Sequence, residues 1–312
     1  MKNRNQQEQT ERTEAGKEFS AASASSRSSF KTMKTSSTQI LMCAVGLALV
    51  VSAQPSARAA DAPLTLGETN QPQSASDLAK LKQDPVSGLR QVILQAQVSP
   101  DMPGSGKTAG NYSVQPVWPF SINDDWKVIS YTILPLIQQP GGSGESSKFG
   151  LGDTLVNLFF APKKPGAVVW GVGPSIMLPT RTDPALGSDS FGLGPTAVLF
   201  YAKDAWSAGL VLQNVWSLGA NDANRVNVFA GQYIFNYNLA NGWFLMSNAT
   251  ITRNWLAASD NGWTVPVGGG FGKIFNIGKQ SMSLSVQAFS NVVKPTGGAN
   301  WSAVVQFSFL FP

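Results

Sequence analysis

Trp301-Ser-Ala-Val-Val-Gln-Phe-Ser-Phe-Leu-Phe311, close to the end of the chain, places Trp301, Ala303, Val305, Phe307, Phe309 and Phe311 at every second position. Between them lie Ser302, Gln306 and Ser308, with the smaller apolar Val304 and Leu310. A period of two belongs to a strand with one apolar face. Three phenylalanines spaced by two predict that this face meets lipid, as in a bacterial outer-membrane β-barrel.

The same rhythm recurs upstream as runs of about ten residues, broken by clusters of Gly, Pro, Asn and Asp. It predicts strands near 88–98, 111–121, 126–137, 151–161, 166–178 and 191–201. Six more follow near 206–217, 225–237, 242–253, 262–274, 281–292 and 301–311. Twelve is an even number, as single-chain bacterial barrels require. The expected fold class is therefore all-β: a transmembrane antiparallel up-and-down β-barrel of about 12 strands, with a short N-terminal helical or disordered segment.

The connections test this division independently, because such barrels alternate short periplasmic turns with longer outer loops. Short links fall at 122–125, 162–165, 202–205, 238–241 and 275–280. Longer ones fall between them at 99–110, 138–150, 179–190, 218–224, 254–261 and 293–300. The alternation is unbroken, and it puts both ends of the barrel in the periplasm.

Alternation within strands separates an outer apolar row from an inner polar one. Met282, Leu284, Val286 and Ala288 alternate with Ser283, Ser285 and Gln287, while Val156, Leu158 and Phe160 are expected outside, with Asp153 and Asn157 inside. Phe229, Tyr233, Phe235 and Tyr237 are expected outside, with Gln232 and Asn236 inside. Aromatics flank the short turns (Trp118, Phe120 and Trp126; Tyr201 and Trp206; Tyr237 and Trp243) as interfacial girdles do.

The front of the chain reads as an export signal. Ile40–Val51 is apolar, Lys31 and Lys34 precede it, and Ala57-Arg58-Ala59 follows, which predicts cleavage after Ala59. Residues 1–59 are thus expected to be an N-terminal extension with signal peptide, starting at Met1 or at Met33. Residues 60–87 are expected to form a periplasmic lead or a lumen plug, with a helical turn or two over Asp77–Lys82, capped by Asp77 and ended by Pro85. Residues 88–312 are the barrel.

Cleavage would remove eight of the 23 basic and four of the 18 acidic residues, leaving 15 against 14 and a net charge of +1. The basic balance then belongs mostly to the removed part and gives no ground for a nucleic-acid partner. Cys43, the only cysteine, lies inside the signal, so the mature chain has no thiol or disulfide. Histidine is absent, which excludes a Ser-His-Asp site and imidazole ligation of metal or haem. No catalytic residue, metal site or cofactor is expected, and the chain is read as not an enzyme.

The glycine clusters around Gly150, Gly171, Gly192 and Gly268–Gly270 lack the Lys-Ser/Thr of a phosphate loop and fit strand curvature instead. Asp153, a charge within an apolar strand, is read either as a lumenal ligand contact or as the partner of a lumenal cation such as Arg90. Glu145, Asp183, Asp189, Asp222 and Asp260 lie in outer loops at no calcium-loop spacing.

Several strings carry a family resemblance: QPVWPFSINDDW (115–126), FGLGDT (149–154), APKK (161–164), WGVGP (170–174), GPTAV (194–198), WTVP (263–266), IGKQ (277–280) and the terminal LFP. With DLAKLKQDPVSGL (77–89) they extend over nearly all of residues 77–312. The chain resembles the outer-membrane transporters grouped with the meta-pathway of phenol degradation. The resemblance implies an outer-membrane barrel that passes hydrophobic or aromatic compounds, and it carries no active-site residues.

The expected partners are outer-membrane lipid, a small-molecule solute and the barrel-assembly machinery, with oligomeric state open. Candidate pathway residues are Asp153, Asn157, Gln232, Asn236, Gln287 and Gln306. The competing expectation is a structural or adhesive barrel with a closed lumen and no transport.

Overall fold

The computed structural model describes residues 75–142, 145–219 and 224–311. The proposed signal sequence, its cleavage after Ala59 and the two candidate starts lie outside the described residues, as do Asp222, Pro312 and the side chain of Asp77.

Among the described residues one α-helix, α1 (Ala75–Gln83), precedes fourteen strand segments. These are β1 (Arg90–Ser99), β2 (Ala109–Ser121), β3 (Trp126–Gln139), β4 (Lys148–Leu151), β5 (Thr154–Pro162), β6 (Val168–Leu178) and β7 (Gly192–Lys203). They continue as β8 (Trp206–Ser217), β9 (Asn227–Asn238), β10 (Trp243–Ser247), β11 (Thr250–Asn254), β12 (Trp263–Ile277), β13 (Gln280–Val293) and β14 (Trp301–Phe311). Every pairing is antiparallel, and apart from the closing pair each joins segments that are consecutive or separated by a single segment. The sheet closes where β1 meets β14, from Arg90 opposite Phe311 to Val98 opposite Ala303.

Fourteen segments make twelve staves, because two staves are broken. Both β4 and β5 pair with β3, separated by Gly152 and Asp153, and the Gly152 N–H still donates to the Pro135 carbonyl at 3.0 Å. β10 and β11 share the place between β9 and β12 and are separated by Asn248 and Ala249. At that break the Asn248 N–H donates to Gln287 Oε1 at 3.0 Å, so an inward side chain replaces a missing ladder partner.

Close strand approach explains the glycines. A Cβ on Gly194 would stand 1.6 Å from the Asn214 carbonyl oxygen, and one on Gly270 1.8 Å from that of Val286. No side chain fits there without displacing a neighbouring strand, which is how glycine permits a sheet to coil.

The exterior is apolar. Leu94, Val114, Leu199, Leu210, Phe271, Leu284 and Val305 are all exposed along it. The nine tryptophans divide between the two ends. Trp118, Trp126, Trp170, Trp206 and Trp243 lie toward the short turns, where Trp126 meets Trp170 edge-on at 6.0 Å and Trp206 meets Tyr237 at 4.4 Å. Trp216, Trp255, Trp263 and Trp301 lie toward the long loops. Rings with one polar edge suit the two headgroup zones, so the apolar band between them marks the hydrocarbon depth.

Helix α1 lies within the barrel at its short-turn end. Leu78, Ala79 and Leu81 are buried in a cluster with the inward-facing Phe244, Met246, Ile274 and Leu310 and with Leu89. The helix begins two residues before the cap expected at Asp77 and ends with Gln83, just before Pro85. The link to β1 then carries Val86, fully buried in a second cluster with Ile93, Val117, Ile129, Phe159 and Val198. One short segment thereby joins inner rows on opposite parts of the wall.

Leu210, exposed in the middle of β8, tests the lipid band. Leu210→Arg is expected to cost about 2–4 kcal/mol if it meets hydrocarbon at mid-depth, and Leu210→Ala much less. Urea unfolding in lipid vesicles measures both; equal, small losses would show that this face does not meet hydrocarbon.

Candidate functional site: an amide-lined lumen

Because the strand period is two, each stave contributes every second side chain to the interior. β1 contributes Gln91, Ile93, Gln95 and Gln97, β2 contributes Asn111, Ser113 and Gln115, and β14 contributes Ser302, Val304 and Gln306. Register sets Gln95 opposite both Ser113 and Gln306, so polar groups meet across the closing seam. The cavity that these rows line has a volume of about 600 Å³.

Its wall mixes neutral amides and hydroxyls with about as many apolar side chains. Asn157, Gln232, Asn236, Gln287 and Gln306, expected inside from alternation, all line this cavity. Gln91, Gln95, Gln97, Asn111, Gln115, Gln213, Asn248 and Asn291 line it as well. Their signal was present in the same parity, most plainly in the Gln91, Gln95 and Gln97 series. Phe159, Phe244, Phe289 and Tyr131 supply rings between the amides. Tyr131 donates from its hydroxyl to Gln115 Oε1 at 2.7 Å, and Gln115 Nε2 donates to Ser113 Oγ at 2.7 Å, which fixes one polar ladder across β2 and β3.

Asp153 lies elsewhere. It stands at the break between β4 and β5, where Oδ2 accepts from the Ser188 backbone N–H at 2.6 Å and from Ser188 Oγ at 3.0 Å. The carboxylate thus ties the loop after β6 to the broken stave. Thr180 strengthens the tie, donating to the Gly152 carbonyl at 2.7 Å and accepting from the Thr154 N–H at 2.9 Å. Arg181 caps the Pro184 and Gly187 carbonyls and pairs with Asp189 at 3.1 Å. Asp183 pairs with Lys148 at 3.2 Å; the Ala185 N–H, followed by Lys148, holds its carboxyl below the usual range. Arg90, the alternative partner for Asp153, sits instead over the Trp118 ring, 5.5 Å from its centroid.

The helical segment forms the floor, since Lys82, Gln83 and Pro85 line the same cavity. Gln83 is the polar anchor: its Nε2 donates to Asn238 Oδ1 at 2.7 Å, and its Oε1 accepts from Ser207 Oγ at 2.8 Å and from Asn238 Nδ2 at 3.2 Å. Asn236 Nδ2 donates onward to Ser207 Oγ at 3.1 Å. Asp84 follows, with Oδ1 accepting from the Val86 N–H at 2.9 Å, and burial pushes its carboxyl up to about 6 against the pull of that hydrogen bond and of Lys127. Burial also lowers the Lys82 ammonium to about 8. Among the described residues that line the cavity, Lys82 is the one charged side chain.

No family model and no curated protein matches the chain. Among solved structures, it is similar to an outer membrane channel from Pseudomonas putida F1, at 16% identity and a TM-score of 0.55, over 72% of this chain and 96% of that one. This likeness shows the shared fold, an outer-membrane type of β-barrel. The NanC porin matches over 72% of this chain and 99% of its own, at 12% identity and a TM-score of 0.43. Outer membrane phospholipase A from Escherichia coli matches at 15% identity and a TM-score of 0.40, over 72% of this chain and 96% of its own. The expectation that the chain is not an enzyme is corrected at this point, since an enzyme stands among the matching structures.

Two outcomes follow from the contacts around the lumen. Asp84 has a folded value raised above 3.8, so its ionisation opposes docking; docking is full below 3.8 and weakens as pH rises through about 6. Hydrogen exchange at residues 81–89, corrected for intrinsic rates, is expected to be slower at pH 5 than at pH 7, and Asp84→Asn should abolish the difference. Asp153→Ala removes the acceptor of two hydrogen bonds, at a cost of roughly 1–3 kcal/mol. Limited proteolysis should then cut at 179–191, and an uncut loop would show that the other ties suffice.

Proposed function

We propose that the protein is an outer-membrane channel or transporter for small molecules. The observation that carries this reading is the closed twelve-stave barrel around a cavity of about 600 Å³, lined by amides, hydroxyls and apolar side chains with Lys82 as the one charge among the described residues. Eight staves enclose little but side chains, whereas 16 to 18 leave a wide water channel. A twelve-stave lumen with a helix at one end fits a narrow, selective path. The likeness of fold to an outer membrane channel supports the same reading.

In this reading a solute enters between the outer loops, exchanges its hydration for amide hydrogen bonds, and rests its apolar parts against Phe159, Phe244 and Phe289. Asn157, Gln232, Asn236, Gln287 and Gln306 line the route. Asp153 acts at its mouth, by holding the loop over 179–191. The cargo is a hydrophobic or aromatic compound, supported by the resemblance of QPVWPFSINDDW, FGLGDT and the other strings to transporters linked with phenol degradation, and by rings set among amides. An amide wall with few charges suits such a cargo, because it hydrogen-bonds a hydroxyl without demanding a counter-ion. Delivery by the signal ending at Ala59, and insertion by the barrel-assembly machinery, complete the proposal.

Purified protein in planar bilayers and in swelling liposomes provides the test. Conductance and flux of a small phenol above those of empty membrane are expected. Gln232→Trp, which fills part of the lumen, should reduce both several-fold, while Leu210→Trp on the outer face should leave them unchanged. Flux indistinguishable from empty membrane would favour a structural or adhesive barrel.

A further inference from the structure

Lys82 presents an unusual combination. It lines the cavity, burial lowers its ammonium to about 8, and Nζ lies 5.7 Å from the centre of the Phe244 ring. Among the described residues no carboxylate lies within ion-pair distance of it. The residues that line the same cavity include no Asp or Glu. A half-buried lysine whose ammonium faces an aromatic ring and neutral groups is under-compensated, because a ring replaces only part of the hydration it has lost.

The wall of the same cavity has spare hydrogen-bonding capacity. The side-chain oxygens of Gln91, Asn157 and Asn236 are buried without a hydrogen-bond partner. A half-turn of the Gln91 or Asn157 amide presents a donor in place of an acceptor, whereas Asn236 Nδ2 is held by Ser207 Oγ. Phe244 and Phe289 add apolar surface to the same wall.

We propose that the lumen holds a binding site for small organic monoanions, carboxylates with an apolar body, in which Lys82 supplies the counter-charge. This rests on the channel reading for its purpose but not for its chemistry. The carboxylate pairs with the Lys82 ammonium and accepts from neighbouring amides, and the apolar body lies against the phenylalanine rings. The anion supplies the compensation that the protein withholds, so the pair forms in a partly dry site where such contacts are strong. Uncharged solutes of the same shape gain only the amide and ring contacts. Placement of the charge on the N-terminal segment rather than on the barrel wall also makes the occupied site depend on that segment being docked.

Calorimetric titration of the full-length protein in detergent with benzoate and with its neutral isostere benzamide tests this, alongside reversal potentials in a KCl gradient. Benzoate should bind more tightly than benzamide, and Lys82→Gln should weaken benzoate at least tenfold while leaving benzamide unchanged. Lys82→Arg, which keeps the charge, should retain most of the benzoate affinity. Wild-type bilayer currents should favour chloride over potassium, and Lys82→Gln should remove that preference. Retained benzamide binding and an unchanged heat-modifiable band on gels establish that the variant is folded.

Equal affinity for benzoate and benzamide, or no effect of Lys82→Gln on benzoate, would overturn the site. Displacement of benzoate by an equal concentration of chloride would overturn the requirement for an apolar body. Benzoate binding without conductance would uphold the site and defeat the channel reading. Conductance without benzoate binding would do the reverse.

Discussion

Everything else in this molecule depends on the pairing of β1 with β14. A strand edge in hydrocarbon leaves backbone N–H and C=O groups without water or partner, at several kcal/mol each, so a sheet survives there only if it closes on itself. The seam from Arg90 opposite Phe311 to Val98 opposite Ala303 removes that edge. It also decides the chemistry of the interior, because the same register that brings Gln95 against Gln306 sends Leu94 and Phe307 outward. A slip of one residue would turn β14 inside out, placing its phenylalanines in the lumen and its Gln306 in lipid.

Closure creates a second constraint, since the interior holds many polar side chains that are buried from solvent. The chain meets it mainly with amides and hydroxyls. A neutral amide can donate and accept at once, so neighbouring rows satisfy one another, as Ser113, Gln115 and Tyr131 do, without the desolvation cost of ionised groups. Charges are kept to the loops and rims: Arg181 pairs with Asp189 and Lys148 with Asp183 among the outer loops, while Arg90 lies over Trp118. Against that background, Lys82 and Asp84 on the floor segment are the exceptions.

The floor itself combines two kinds of contact. Leu78, Leu81 and Val86 bury apolar surface against inner residues from opposite parts of the wall, and Gln83 fixes orientation through Ser207 and Asn238. Apolar burial is not directional, whereas these hydrogen bonds are; together they hold the helix in one pose. Burial of Asp84 and Lys82 works against that pose, and it does so at pH values near neutrality.

The chain's own pattern was sufficient for the staves. Aromatic alternation over 301–311, the start at Trp126 and the short turn near 202–205 reappear in β14, β3 and the β7–β8 hairpin, because the period of two and the turn residues are local properties. Parity likewise sorted Asn157, Gln232, Asn236, Gln287 and Gln306 into the interior, since alternate side chains of a strand must point to opposite faces. The breaks at Gly152-Asp153 and Asn248-Ala249 were not legible, because a stave is interrupted by what its neighbours and loops offer in exchange. Asp153 gives the clearest case: its partner Ser188 lies 35 residues away. Gln83 and Ser207 lie 124 residues apart, and only a closed barrel brings them together. Local periodicity thus determined the strands, their number and their faces. Tertiary closure alone decided where the helix rests, which loop Asp153 holds, and that Lys82 is the one charged side chain among the described residues lining the cavity, because each of these depends on contacts between residues far apart in the chain.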